Sequence, residues 1–104
     1  MHGNGKSPLA IVVLWLFVVV AATDYLDGYL AVAERRYEDA IAAYRRSDLE
    51  RPHIRVLLAD AYARNRDREN ARLWYQRALE VSTGLDSESV IARPIATAWL
   101  AKNR

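Results

Sequence analysis

Residues 37–44 read Tyr-Glu-Asp-Ala-Ile-Ala-Ala-Tyr, and Pro52 closes the segment that follows. Sliding the sequence against itself by 31 residues places Gly28 on Ala59, Ala40 on Ala71, Tyr44 on Tyr75 and Ser47 on Ala78. Each copy therefore carries a small residue, an Ala twelve positions later and a Tyr four beyond that. Small residues let two antiparallel helices approach closely, and a Tyr fills the seam between them. Around this core the chain is Ala-rich, with apolar residues spaced i, i+3, i+4 and no β-branched alternation, so it reads as helical throughout. The pattern predicts helices near 24–35, 37–49, 53–65, 68–82 and 87–102. Pro52, Asn65 and Gly84 are read as stops, with Gly84 as a C-terminal cap and Asp86 opening the last helix. Ahead of Glu34 only Gly28 interrupts continuation from the apolar segment before it.

That segment, Leu9 to Thr23, holds fifteen residues without a charge. Taken from Pro8 to Leu26, it gives an apolar span of about 18 residues, or about 27 Å as a helix, against a hydrocarbon core of about 30 Å. Pro8 suits a first helical turn, where its missing N–H is no loss. Tyr25 and Tyr29 fall where an interfacial aromatic would sit. Three readings compete: a membrane anchor over 8–26, a signal peptide cleaved after Ala22, and a buried core helix. The second has Lys6 as a thin positive region and Val20-Ala21-Ala22 as a small-residue site. The third leaves 78 residues to wrap a uniformly apolar helix. Lys6 before the span and Asp24 and Asp27 after it lean towards an exported C-terminal part. Gly3-Asn4-Gly5-Lys6-Ser7 looks like the tail of a phosphate-binding loop, but no strand precedes it, so residues 1–7 are read as a polar head.

Composition narrows the function classes. Of 104 residues, 52% are hydrophobic and 27% charged, with four Gly, three Pro and no Cys. This excludes a disulfide scaffold, a Cys-ligated metal and a cysteine nucleophile, and it argues against a disordered chain. The net charge of +2 gives no broad basic face of the kind a nucleic-acid binder shows. The densest basic stretch, Arg64, Arg66, Arg68, Arg72 and Arg77, reads as a solvated helix surface with local ion pairs or as an anion- or partner-docking patch. His2 and His53 lie far apart and neither has a second ligand at metal spacing. No carboxylate pair, activated nucleophile or Gly-rich phosphate loop is present, so no enzyme, no cofactor and no small-molecule substrate are expected.

From Asp24 to Thr83 the chain resembles the tetratricopeptide repeat (TPR) family. Residues 37–44 with Pro52 look like that family's second helix and terminating proline. Leu58-Ala59-Asp60-Ala61-Tyr62 resembles its first-helix motif, with Ala59 in place of Gly, and Ala71, Tyr75 and Ala78 match a second copy of the second helix. Departures include Asp27 where the family has Leu, Ala31 where it has Tyr, and a period of 31 rather than about 34. The resemblance implies TPR-like repeats over 24–52 and 53–83; with the apolar span read as a transmembrane helix over 8–26 and the last segment as a capping helix over 86–104, the expected fold is all-α. The resemblance further implies a partner-binding groove lined by Tyr25, Tyr29, Val32, Val56, Asp60, Ala63 and Arg64.

The last segment does not repeat the motif, and Pro94 is expected to kink its helix or start a new one. Its apolar residues fit either a cap over the repeats or, through Trp99 and Leu100, a docking surface. The expected function is a non-catalytic, single-pass membrane-anchored scaffold or accessory subunit that binds an integral membrane protein or complex. Trp15 is a candidate contact with that partner inside the span, because an indole N–H in hydrocarbon gains from a protein acceptor. The alternatives are an assembly factor or chaperone that binds exported clients transiently, and a signal-cleaved secreted TPR-like domain.

Overall fold

Amphipathic spacing and Ala content yield five α-helices among the described residues and no strand: α1 (Pro8–Ala33), α2 (Tyr37–Arg45), α3 (Pro52–Arg64), α4 (Arg68–Val81) and α5 (Ser87–Lys102). The structure, a computed structural model, describes residues 8–104, leaving aside the side chains of positions 14–25. Each helix packs on the next, and α5 packs on both α3 and α4. Among the described residues no helix is long and apolar enough to cross a membrane. The side chains of 14–25, which form most of the expected span 8–26, lie outside the described residues, as does the head 1–7.

The 31-residue offset reappears in the backbone. At the end of α1, Arg36 N–H donates to Ala31 O and Arg35 N–H to Val32 O, while Arg35 sits in the left-handed region at φ 61°. At the end of α3, Asp67 donates to Tyr62 O and Arg66 to Ala63 O, with Arg66 at φ 63°. Both turns are Schellman motifs, and both carry an Arg where a Gly is normally found. A left-handed conformation costs an L-residue about 1–2 kcal/mol. Arg66→Gly is therefore expected to raise stability by about 0.5–1 kcal/mol, after the glycine's entropy is deducted. A denaturation midpoint that drops in Arg66→Gly would contradict this.

Small residues make the seams. Ala40, Ala59, Ala71, Ala78 and Ala96 are all fully buried. Gly28 lies flat against Tyr44, where an added Cβ would come within 2.7 Å of the ring's Cζ. Tyr44, Leu58, Tyr62, Trp74 and Tyr75 supply the volume of the core.

Three local expectations are corrected. The second helix ends at Arg45 rather than 49. Ser47 donates from Oγ to Ala43 O and from its N–H to Tyr44 O, and Asp48 Oδ1 accepts from Glu50 N–H, so side chains turn the backbone out of the helix. Gly84 does not cap α4. Buried Ser82 does, donating from Oγ to Ala78 O at 2.6 Å and from its N–H to Leu79 O. Pro94 does not start a new helix, because α5 runs through it from Ser87 to Lys102. The proline is exposed, and buried Ala92 and Ala96 hold the helix to its neighbours on either side of it.

Candidate functional site

The residues expected to line a groove fall into two groups. Asp60, Ala63 and Arg64 share the last turns of α3 by their i, i+3, i+4 spacing. Arg64 Nε donates to Asp60 Oδ2 at 2.7 Å. That hydrogen bond is the main reason the Arg64 guanidinium is held above its ordinary range, with Tyr37 adding to it. Ala63 is half-buried and lines a cavity of about 340 Å³ together with Arg66, Arg68, Trp99 and Asn103.

The other group sits where α1 meets the start of α3. Tyr29 is exposed, its hydroxyl 3.5 Å from His53 Nε2, and Val32 is half-buried against the core. Val56 is only 7% exposed and belongs to the core, so it offers no surface to a ligand. The side chains of Tyr25 and Trp15 lie outside those described, so the structure does not test either as a contact. Among the described residues no group of metal-ligating side chains gathers.

The basic stretch divides by role. Arg64 pairs with Asp60, Arg72 donates to Asn103 O at 2.6 Å, and Arg77 lies over the Trp74 ring at 4.8 Å. Arg66 and Arg68 face the cavity instead. Trp99, the cavity's apolar wall, stacks on Tyr75 with ring centroids 4.8 Å apart. Spacing along the sequence could not have found this cavity, since its walls come from α3, the α3–α4 turn, the start of α4 and the end of α5.

No family model, curated protein or solved structure matches this chain.

Two helix caps, at opposite ends of α4, are expected to contribute acid sensitivity. Asp67 is held below the usual carboxylate range by hydrogen bonds from the Asn70 side chain and then its backbone N–H. Asp86 is lowered by the backbone N–H and hydroxyl of Ser89. A carboxylate with a depressed folded pKa contributes stability above its unfolded value, about 3.9, and loses it as pH falls through the folded value. Thermal midpoints are thus expected to drop on acidification below about pH 4. The double variant Asp67→Asn, Asp86→Asn keeps the cap acceptors and should flatten that part of the profile. An unchanged slope in the double variant would rule these two groups out as its source.

Proposed function

We propose that this chain is a non-catalytic, single-pass membrane-anchored scaffold or accessory subunit with a TPR-like helical array that binds another protein, most simply an integral membrane protein or complex. The observation that carries the reading is the continuity of α1. One helix of 26 residues begins in the uncharged stretch and ends packed on α2. At about 1.5 Å per residue its backbone is about 39 Å long, against about 30 Å of hydrocarbon, which in this reading leaves its last turns to wall the helical stack. Where its side chains are described, the helix starts with Leu9, Ile11, Val12 and Val13, all exposed. In such a chain the anchor and the binding array form one continuous piece, so a bound partner is held close to the bilayer.

The repeat spacing, the paired Schellman turns and the cap made by α5 support the array reading. The face it would offer combines Tyr29, Asp60, Ala63 and Arg64 with the cavity beside Trp99. Lys6 ahead of the span, with no basic residue after it until Arg35, favours an array outside the cytoplasm under the positive-inside rule.

The test is a mild-detergent pull-down of the full-length chain with intact-mass analysis of everything recovered. The expected result is a full-length mass with a stoichiometric integral-membrane companion. A mass lacking residues 1–22 and no companion would overturn the anchor and leave a processed domain.

A further inference from the structure

The fold gives many of its arginines a partner. Arg64 has Asp60, Arg36 has Glu34 and Asp39, Arg51 has Glu88, and Arg45 donates to the Tyr62 hydroxyl. Arg66 and Arg68 differ: among the described residues neither side chain has a hydrogen bond or an ion pair. Each also stands where its own backbone favours something else. Arg66 is left-handed at φ 63°, a conformation that suits Gly. Arg68 is the first residue of α4, the end of a helix where the dipole disfavours a cation. Both line the cavity of about 340 Å³ with Ala63, Trp99 and Asn103, and no carboxylate belongs to that wall. The cavities beside α1 are different. Between α1 and α2, Arg36 and Arg46 share a wall with Asp27 and Asp39, and at the α1–α2 turn Arg35 and Arg36 share one with Glu38 and Asp39.

We propose that this cavity receives an acidic side chain of a partner protein, an Asp or Glu within its chain, held by Arg66 and Arg68, with an apolar neighbour of that residue against Trp99 and Ala63. The inference names the partner chemistry of the face described above, and it rests on the protein-binding reading. Charge selects the occupant. A wall with two cations, no anion and an indole is complementary to a carboxylate carried beside an apolar group. Position selects a protein over a lipid. Asn65, next to Arg66 in the chain, shares a cavity wall with Arg35 and Arg36 just past the end of α1, so the site lies at the opposite end of α1 from its apolar start. Headgroups of an anchoring membrane are away from it. The strain at Arg66 and the wrong-signed charge on the first turn of α4 then have a use, because a bound carboxylate offsets both.

The full-length, isotope-labelled chain in dodecyl maltoside is titrated with the acetylated and amidated peptide Gly-Glu-Leu-Glu-Gly, followed by nuclear magnetic resonance. Blocked ends leave the two side-chain carboxylates as the peptide's only charges. The Trp99 indole N–H, assigned with Trp99→Phe, and the backbone amides of residues 66–68 are expected to shift. The same peptide with Gln for Glu should bind about tenfold more weakly or worse. The double variant Arg66→Gly, Arg68→Gln removes both charges and relieves the left-handed residue, so it stays folded while its affinity falls about tenfold or more. Arg35→Gly, the equivalent residue of the first turn, should bind as the unmodified chain does. No binding of the Glu peptide, equal affinity for the Gln peptide, unchanged affinity in the double variant or the same loss in Arg35→Gly would overturn the site. The detergent pull-down, repeated on the double variant, separates the two ideas. A companion recovered by both chains, with no peptide binding, sinks this site and leaves the scaffold reading standing. No companion from either overturns the scaffold reading, and the peptide titration still decides the cavity.

Discussion

Tyr44→Ala is expected to lower stability by about 3–5 kcal/mol, which is of the order of everything a helical array of this size holds in reserve. Tyr44 is 1% exposed and its ring fills the seam between α1 and α2, directly over Gly28. Truncation removes the ring and leaves a void that two rigid helices close only in part. The variant should show weakened or absent cooperative unfolding by circular dichroism in a denaturant titration. The reverse substitution tests the same seam from the other side. Gly28→Ala ought to gain up to about 1 kcal/mol from helix propensity. Its methyl has no room beside the Tyr44 ring, so overpacking should reverse the sign and leave a net loss of about 1–2 kcal/mol. Combining Gly28→Ala with Tyr44→Leu should then be milder than the sum of the two, since the smaller side chain vacates the space the methyl needs. A stabilising Gly28→Ala would show that the close approach is not what specifies glycine there.

That seam was readable from the amino acids because it depends on size and spacing alone. A small residue, an Ala and a Tyr recurring at 31 residues describe two helices pressed together, whichever way their surroundings are arranged. The all-helical character was readable for the same reason. What periodicity could not convey is competition by polar side chains at helix ends. Ser47, Asp48 and Ser82 bond to nearby backbone groups and decide where α2 and α4 stop, while Gly84, the stronger signal by composition, takes no part in the cap. The two left-handed arginines were equally hidden, because the expectation for such a position is Gly or Asn. Their equivalence emerges only when the backbone shows Arg35 and Arg66 at matching places in matching turns.

The candidate site was legible in halves. Asp60, Ala63 and Arg64 lie together because helix geometry alone brings them together. Val56 lies on the same stripe by spacing, yet it is buried, since burial depends on which helices lie over the first half of α3. The cavity around Ala63 could not be read at all: Arg66, Arg68, Trp99 and Asn103 span nearly forty positions and meet only once α5 folds back over α3 and α4.

Trp99→Ala is the second substitution with a large expected effect, about 2–3 kcal/mol, and it acts on the attachment of α5. The residues α5 buries fully are small, namely Ser89, Ala92 and Ala96. Trp99 and Leu100 are its large side chains packed against the core, and Trp99 does so through its stack on Tyr75. Without the indole, α5 should open locally, so its amides exchange faster while those of α3 and α4 keep their protection. Tyr75 reports the same event independently. Burial first, and then the negative charge of Asp60, pushes its hydroxyl up to about 12. A group whose folded pKa is raised contributes stability that is complete below its unfolded value, about 10, and is lost as pH rises through the folded one. The intact chain should therefore lose stability between about pH 10 and pH 12, with one tyrosine ionising last in the ultraviolet titration. In Trp99→Ala, water reaches that ring, its pKa falls back towards about 10, and the alkaline loss shrinks. Trp99→Phe keeps an aromatic surface over Tyr75 and should retain both the α5 protection and most of the raised pKa. If α5 protection in Trp99→Ala matched that of the unmodified chain, the helix would be held by its alanine seam rather than by the stack.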